Sequence, residues 1–481
     1  MPSEAEEPGG EGVRAPIVAM KRRNGRGAKG AQEGGCVKDG AAEDKPAPVP
    51  ARATQAGGIR VRWAWVEPSV WTERMLAALE DGVRGGVWFS LIDKVYAMPN
   101  LRAAFAEVQA NRGGAGVDRQ TLAMFGADLE ENLRRLSESL RAGTYRPQAI
   151  RRTYIPKPGK KELRPLGIPT VRDRVAQAAM RHVLEPIFER DFAEHSYGFR
   201  PGRSCKDALR RVNALMEAGY TWVVDADLKS YFDTIPHERL MDRVKAKVAD
   251  GRVLGLIEAY LKQEVMDAAR MWTPAEGSPQ GAVLSPLLSN IYLDRLDHEM
   301  AQAGYEMVRY ADDFVVLCRS EAEAREALER VRSWTAQAGL TLHPDKTRIV
   351  DAAQRGGFDF LGYHFERGLR WPGRKSLGKV RDAIRAKTRR LSGHSLSQIL
   401  RDVNRTLRGW FEYFKHSRPY TFQKLDGWVR MRLRSILRRR QGRRGRGRGR
   451  DQQRWPNSFF AEHGLFSLVT AYAAARPSPR G

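Results

Sequence analysis

The sequence predicts an α+β fold, an antiparallel sheet interleaved with helices, followed by a helical C-terminal region. Two observations carry this. Between Tyr154 and about Phe365 short β-rich runs alternate irregularly with helical patterns, unlike the regular alternation of a doubly wound sheet. Beyond Ser376 the strand signals stop and apolar residues recur at helical spacing.

Residues 1–60 are rich in Gly, Ala, Pro, Glu and Lys and nearly free of large apolar side chains. They are expected to be a disordered tail, because they cannot bury enough surface to offset ordering entropy. Within them KRRNGRGAKG (21–30) is basic, either an RNA contact or simply a solvated tail, and a start at Met20 or Met75 is an alternative. Order should begin near Val61. Helical spacing of Leu76, Leu79, Val83, Val87, Leu91 and Val95 predicts helix across 71–98. The glycine turn NRGGAGVD (111–118) lacks the GK[ST] ending of a phosphate-cradling loop. TWVVDADL (221–228) reads as a strand, and VRYADDFVVLC (308–318) as a hairpin with carboxylates at its turn. Residues 321–339 form an amphipathic helix with Leu328, Val331 and Trp334 inward. Ile399, Val403, Leu407, Phe411 and Phe414 share one helical face, and a second helix carries Leu425, Trp428, Leu433 and Ile436. QGRRGRGRGRDQQR (441–454) is low in complexity and strongly basic, a flexible polyanion-binding linker or a solvated connector. Residues 455–475 are a small apolar unit that docks or folds alone.

The charge narrows the function. Lys and Arg number 83 against 57 Asp and Glu, a net charge of +26. That excess points to a polyanionic partner, nucleic acid first, although a GC-rich genome also inflates Arg. Cys36, Cys205 and Cys318 lack disulfide or metal spacing, which suggests a reducing compartment and a cytoplasmic protein. No uncharged apolar run is long enough to span a bilayer, and the acidic, Gly/Pro-rich start does not read as a signal peptide. Membrane, secreted and disulfide-scaffold classes drop out.

Two clusters carry chemistry. Asp225-Ala226-Asp227-Leu228-Lys229-Ser230-Tyr231-Phe232-Asp233 and Tyr310-Ala311-Asp312-Asp313 each put carboxylates at the end of a β-type run. Acidic pairs at hairpin turns are commonly just solvated, but these are enclosed by apolar strands. Like charges held close in a low dielectric need neutralising, and Mg²⁺, which takes oxygen ligands, does that. Two such ions can clamp the attacking and leaving oxygens of a phosphoryl transfer.

YADD with the upstream Asp227-x₄-Phe232 resembles the palm of reverse transcriptases. More narrowly, the chain resembles bacterial group II intron-encoded reverse transcriptase/maturases from about Val61 to its C-terminus. The motifs fall in family order: RPLGIPTVRDRVAQ (164–177), HSYGFRPGRSC (195–205), GSPQGAVLSPLLSNIYLD (277–294), GLTLHPDKT (339–347), FDFLGYHF (358–365) and LRGWFEYF (407–414). The resemblance implies a right-hand polymerase fold, with fingers and an antiparallel-sheet palm over 61–375. A helical thumb/maturase domain over 376–440 and a basic linker with a short DNA-binding segment over 441–481 would follow.

The resemblance also implies roles. Asp227, Asp312 and Asp313 would be catalytic and hold two Mg²⁺ ions, with Mn²⁺ a substitute. Asp225 shares a strand face with Asp227 but matches no family ligand, so a supporting role is expected. Lys157 and Arg164 would bind the incoming triphosphate, unless they are only a solvated basic loop. Phe232 would block a ribose 2′-OH and so favour dNTPs. Gln280 and Gly281 would lie where backbone approaches template and nucleotide, unless they form a plain turn. Lys346 would protonate the pyrophosphate leaving group; a surface turn is the other reading. Arg401, Arg405, Arg408, Arg430 and Arg434 would bind intron RNA through phosphates and shape. Trp410, Phe411, Tyr413 and Phe414 fit the helical core better than base stacking.

Many family members carry a C-terminal endonuclease with a His/Asn and cysteine-pair metal site. This chain has only His463 after the basic run and no cysteine after Cys318, so none is expected. Primers would then come from nascent strands at replication forks or from single-stranded targets. The expected activity is RNA-directed DNA synthesis, with assistance to splicing of the bound intron RNA and copying of that RNA into target DNA. Rival readings are a splicing-only RNA-binding maturase, a domesticated reverse transcriptase (retron, diversity-generating or CRISPR-associated), and a basic scaffold.

Overall fold

A computed structural model describes residues 59–83, 85–156, 163–267, 270–278 and 281–475. The expected disordered tail lies outside the described residues up to position 58; Ile59–Arg62 form a short helix.

The described strands run β1 (Ile150–Pro156), β2 (Leu163–Ile168), β3 (Trp222–Asp227), β4 (Val265–Asp267), β5 (Arg270–Trp272), β6 (Glu306–Tyr310), β7 (Asp313–Cys318), β8 (Arg348–Asp351), β9 (Phe358–Phe360), β10 (Tyr363–Glu366) and β11 (Leu369–Pro372). They make three sheets, ordered β2-β1-β4-β5, β6-β7-β3-β8 and β11-β10-β9. All pairings are antiparallel except β1 with β4. The mixed, mainly antiparallel α+β architecture matches the expectation.

The second sheet is central. Val224, Ala226, Phe314 and Val316 join the main core with the helices Ser285–Gln302 and Glu321–Gln337. Val223, Val315 and Leu317 face the other way, against Leu209 and Val212 of the helix Cys205–Glu217 and against Phe358 and Phe360. Strand alternation explains the site's position: Val223, Asp225 and Asp227 project from the same face of β3. The face is apolar where it is covered and becomes acidic towards the strand's end.

The helix expected across 71–98 is two pieces, Glu73–Asp81 and Ile92–Val95. The glycine-rich stretch 82–86 interrupts it. Leu76, Leu79, Leu91 and Val95 are buried nonetheless, so the periodicity marked the core but not the continuity.

The C-terminal region is helical as expected: Arg374–Lys387, Leu396–Phe414 and Pro419–Arg440. Ile399, Val403, Leu407 and Phe411 pack with Leu425, Val429, Leu433 and Ile436. Phe414 is also buried, and Trp410 and Tyr413 are packed against these cores, as expected. Of the two readings of 455–475 the docked one holds, because Trp455, Phe460 and Leu468 are buried in the same helical core. Arg438 pairs with buried Asp451 at 2.9 Å, which folds the start of the basic run back onto its helix.

Candidate active site

In the β3–β7 register Asp227 lies directly opposite Asp313, and Asp225 opposite Val315. Directly opposed residues present their side chains on one face, so Asp225, Asp227 and Asp313 converge there. Asp312 belongs to the β6–β7 turn, beside Ala311 at φ 61°. Burial first, and then the negative charges of Asp225, Asp312 and Asp227, push the Asp313 carboxyl up to about 7. Burial is also the main cause raising Asp312 and Asp225; Arg164 and Arg309 oppose the rise at Asp312, and Arg348 opposes it at Asp225.

Two cations reach this acidic face from the chain that closes the sheet. The segment before β8 runs beside the end of β3, with His343 N donating to Asp227 O at 2.7 Å and Lys229 N to Thr341 O at 2.8 Å. This brings Lys346, on an exposed turn as one reading had it, to the acidic face, with Nζ 2.5 Å from Asp227 Oδ2. Arg348 Nε lies 3.2 Å from Asp225 Oδ2, a concrete form of the supporting role expected for Asp225.

Arg164 is exposed on β2, and its positive charge partly offsets the rise that burial gives the Asp312 and Asp233 carboxyls, so it lies within electrostatic reach of both. Phe232 is buried in the short 3-10 turn Tyr231–Asp233, edge-on to Tyr231 at 5.4 Å between centroids. Its carbonyl accepts from Ser278 N at 2.6 Å. A cavity of about 200 Å³ beside it is lined by Arg152, Gly167, Asp233, Trp272 and Gly277. Gly281 has φ 106°, and a Cβ there would stand 2.4 Å from Gly167 O, so only glycine fits. The close approach expected at Gly281 is thus met by β2 itself. Lys157 and Gln280 lie outside the described residues.

The site's donor chemistry suits a divalent cation. All its donors are carboxylate oxygens, and the raised Asp313 shows that the protein alone under-neutralises them. Among the described residues no group of three or more His, Cys, Asp or Glu is placed to hold a metal ion by itself. Mg²⁺ typically takes one or two carboxylates and completes its shell with water and phosphates. Asp227, Asp312 and Asp313 are by donor type the carboxylates such an ion would use, with water and substrate phosphates completing its shell.

The five arginines expected on RNA separate. Arg405 is 84% exposed at its side chain. Arg401 is exposed and donates to Gln398 at 2.5 Å, and Arg408 stacks over Phe466 at 5.4 Å. Arg430 is 3.9 Å from Asp426. Arg434 is a correction: it is 5% exposed, and its guanidinium donates to Trp455 O and Asn457 Oδ1, both at 2.8 Å. It is an internal brace for the C-terminal segment, with no open face for RNA. Sequence reasoning also missed Arg309, which precedes the catalytic turn and is fully buried. Its signal was a charged residue inside an apolar β-run.

Comparison with known proteins gives this geometry its family. Residues 155–365 match the reverse transcriptase (RNA-dependent DNA polymerase) model, and residues 377–455 match the group II intron maturase-specific domain. Protein YkfC of Escherichia coli (strain K12) is 35% identical over 347 residues, covering 63% of this chain and 86% of YkfC. The chain belongs to the group II intron reverse transcriptase/maturase family. This reverse transcriptase/maturase carries an RNA-directed DNA polymerase domain followed by a maturase domain. The group II intron-encoded protein LtrA of Lactococcus lactis subsp. cremoris is 39% identical over 201 residues, covering 41% of this chain but only 33% of LtrA. A chain of a solved Cas6-RT-Cas1–Cas2 complex shares 26% identity over 52% of this chain and 41% of its own length, at a TM-score of 0.34.

Proposed function

We propose that this reverse transcriptase/maturase binds its group II intron RNA, assists its splicing, and copies it into DNA at a target site. The single observation that supports the polymerase reading best is the register that sets Asp227 against Asp313 beside the Asp312 turn. Mg²⁺ held by these three residues would supply positive charge to the phosphoryl group in a two-metal nucleotidyl transfer. The primer 3′-OH gives its proton to solvent as its oxygen bonds to the α-phosphorus of a dNTP, the bond to pyrophosphate breaks, and the leaving oxygen takes a proton.

The chain's own residues supply the rest. Arg164 binds triphosphate oxygens through its planar fork. Phe232 bars a ribose 2′-OH. Lys346 leaves Asp227 to protonate the pyrophosphate. Arg401, Arg405 and Arg408 contact phosphates of the structured intron RNA, whose own chemistry performs splicing. Target DNA and dNTPs are the other partners, and the setting is the bacterial cytoplasm. In an assay of both activities, Asp312→Ala should lose cDNA synthesis and spare assisted splicing. Equal loss of both would refute the separation of roles.

A further inference from the structure

We infer that Arg309 is a positioning residue that fixes the Ala311–Asp312–Asp313 turn for catalysis, acting through a buried network with Asp297, Asn290 and Ser196. The inference rests on the polymerase reading above. Arg309 stands at the penultimate position of β6, and its side chain is 0% exposed. All of its donors are used. Nε donates to Asp297 Oδ1 at 2.8 Å and Oδ2 at 3.0 Å, and Nη2 donates to Asp297 Oδ2 at 2.5 Å and Ser196 Oγ at 2.7 Å. Nη1 donates to Asn290 Oδ1 and to Ala311 O, both at 2.9 Å.

The last bond is the important one. Ala311 has φ 61°, a left-handed conformation that non-glycine residues seldom adopt without being held. The same network presses a second segment against the turn. Asn290 Nδ2 donates to Gly198 O at 2.9 Å, Arg309 N to His195 O at 3.0 Å and Tyr197 N to Arg309 O at 2.9 Å. A Cβ on Gly198 would lie 2.2 Å from Ala311 N, so this backbone is the floor of the catalytic turn. Asn290 and Asp297 lie on one helix, Ser285–Gln302, which ties the turn to the main core.

A buried ion pair is a poor stabilising device, because desolvation offsets most of its attraction. Its value here is geometric. Five donors in a rigid plane fix a carbonyl, an amide, a hydroxyl and a carboxylate together. Lysine keeps the charge but cannot span those acceptors.

The test uses the full chain in primer extension, with folding followed by thermal melting and Mn²⁺ binding to the free protein followed by EPR. Arg309→Lys should lower kcat about a hundredfold, the scale of a misplaced reacting group, with the dNTP KM little changed and Mn²⁺ bound more weakly. Asn290→Ala spares the ion pair but removes one of the two Nη1 acceptors and the Gly198 link. It should show the same pattern more mildly, and it decides the matter if Arg309→Lys does not fold. Variants that melt lower yet keep wild-type kcat per folded molecule and wild-type Mn²⁺ affinity would overturn the inference. If the folded wild type extends no primer, the polymerase reading falls. The inference is then decided by Mn²⁺ binding, and equal affinity in wild type and Asn290→Ala overturns it.

Discussion

Replacing Asp426 with Ala should release the C-terminal segment while leaving the polymerase domain folded. Asp426 is 3% exposed on the helix Pro419–Arg440. Its carboxylate accepts from Ser467 Oγ at 2.9 Å, Leu468 N at 3.1 Å and Val469 N at 3.2 Å, capping the helix Leu468–Ala474 from a neighbouring element. Three hydrogen bonds to a charged acceptor, at roughly 1.5–3 kcal/mol each, would sum to about 4–9 kcal/mol if all were lost against an unchanged structure. The segment will undock before that sum is reached. Its docking rests mainly on fully buried Leu468, with Ala471 and Tyr472 partly buried. One fully buried leucine alone contributes about 1.5–3 kcal/mol, and Phe466, Ala471 and Tyr472 add to it, so about 3 kcal/mol is a low figure for what the docked segment can lose. That equals roughly a hundredfold rise in the open population. Hydrogen exchange over residues 466–475 should accelerate by at least that factor, with exchange in β3 and β7 unchanged. Unaltered exchange over the segment, or unfolding of the whole chain, would refute the reasoning.

Two further outcomes follow from the site and the core. Phe232→Ala should raise ribonucleotide incorporation relative to dNTPs at least about tenfold in competitive extension, the scale of one apolar contact in a pocket; unchanged discrimination would remove Phe232 from the 2′ face. Burial, followed by the charges of Glu189 and Glu107, raises the Glu185 carboxyl to about 7 against the opposing effect of Arg181. A carboxyl raised on folding favours the protonated native state. Its contribution is therefore full below about pH 4.5 and is lost as pH rises through about 7. Glu185→Gln should flatten that part of the stability–pH curve and stabilise the protein at pH 8 by up to about 3 kcal/mol, read by urea unfolding. A slope unchanged from wild type would contradict this.

The parts legible in the sequence were those written in local periodicity. The 308–318 hairpin, the inward face of Leu328, Val331 and Trp334, and the apolar stripes of the C-terminal helices depend on neighbours within a few residues. What stayed hidden depends on long-range pairing. No local pattern says that Arg434 is used on Trp455, or that Asp426 caps a helix 42 residues away. A basic helix residue reads as RNA-facing until its partner is seen. The break at 82–86 was missed because apolar spacing carried across glycines that do not continue a helix. Lys346 had two readings in sequence because its contact to Asp227 spans 119 positions. The placement of Asp227 and Asp313 at paired strand ends, with Asp312 in the turn, was readable because residue type and β-pattern agreed.

Whether Asp227, Asp312 and Asp313 form a polymerase centre is decided by extension of a DNA primer on an RNA template with dNTPs and Mg²⁺, comparing wild type with Asp312→Ala. Wild type should give full-length cDNA and the variant none, with both proteins folded and both binding intron RNA. Extension undiminished in Asp312→Ala, or absent from a folded wild type that binds RNA, would contradict that role.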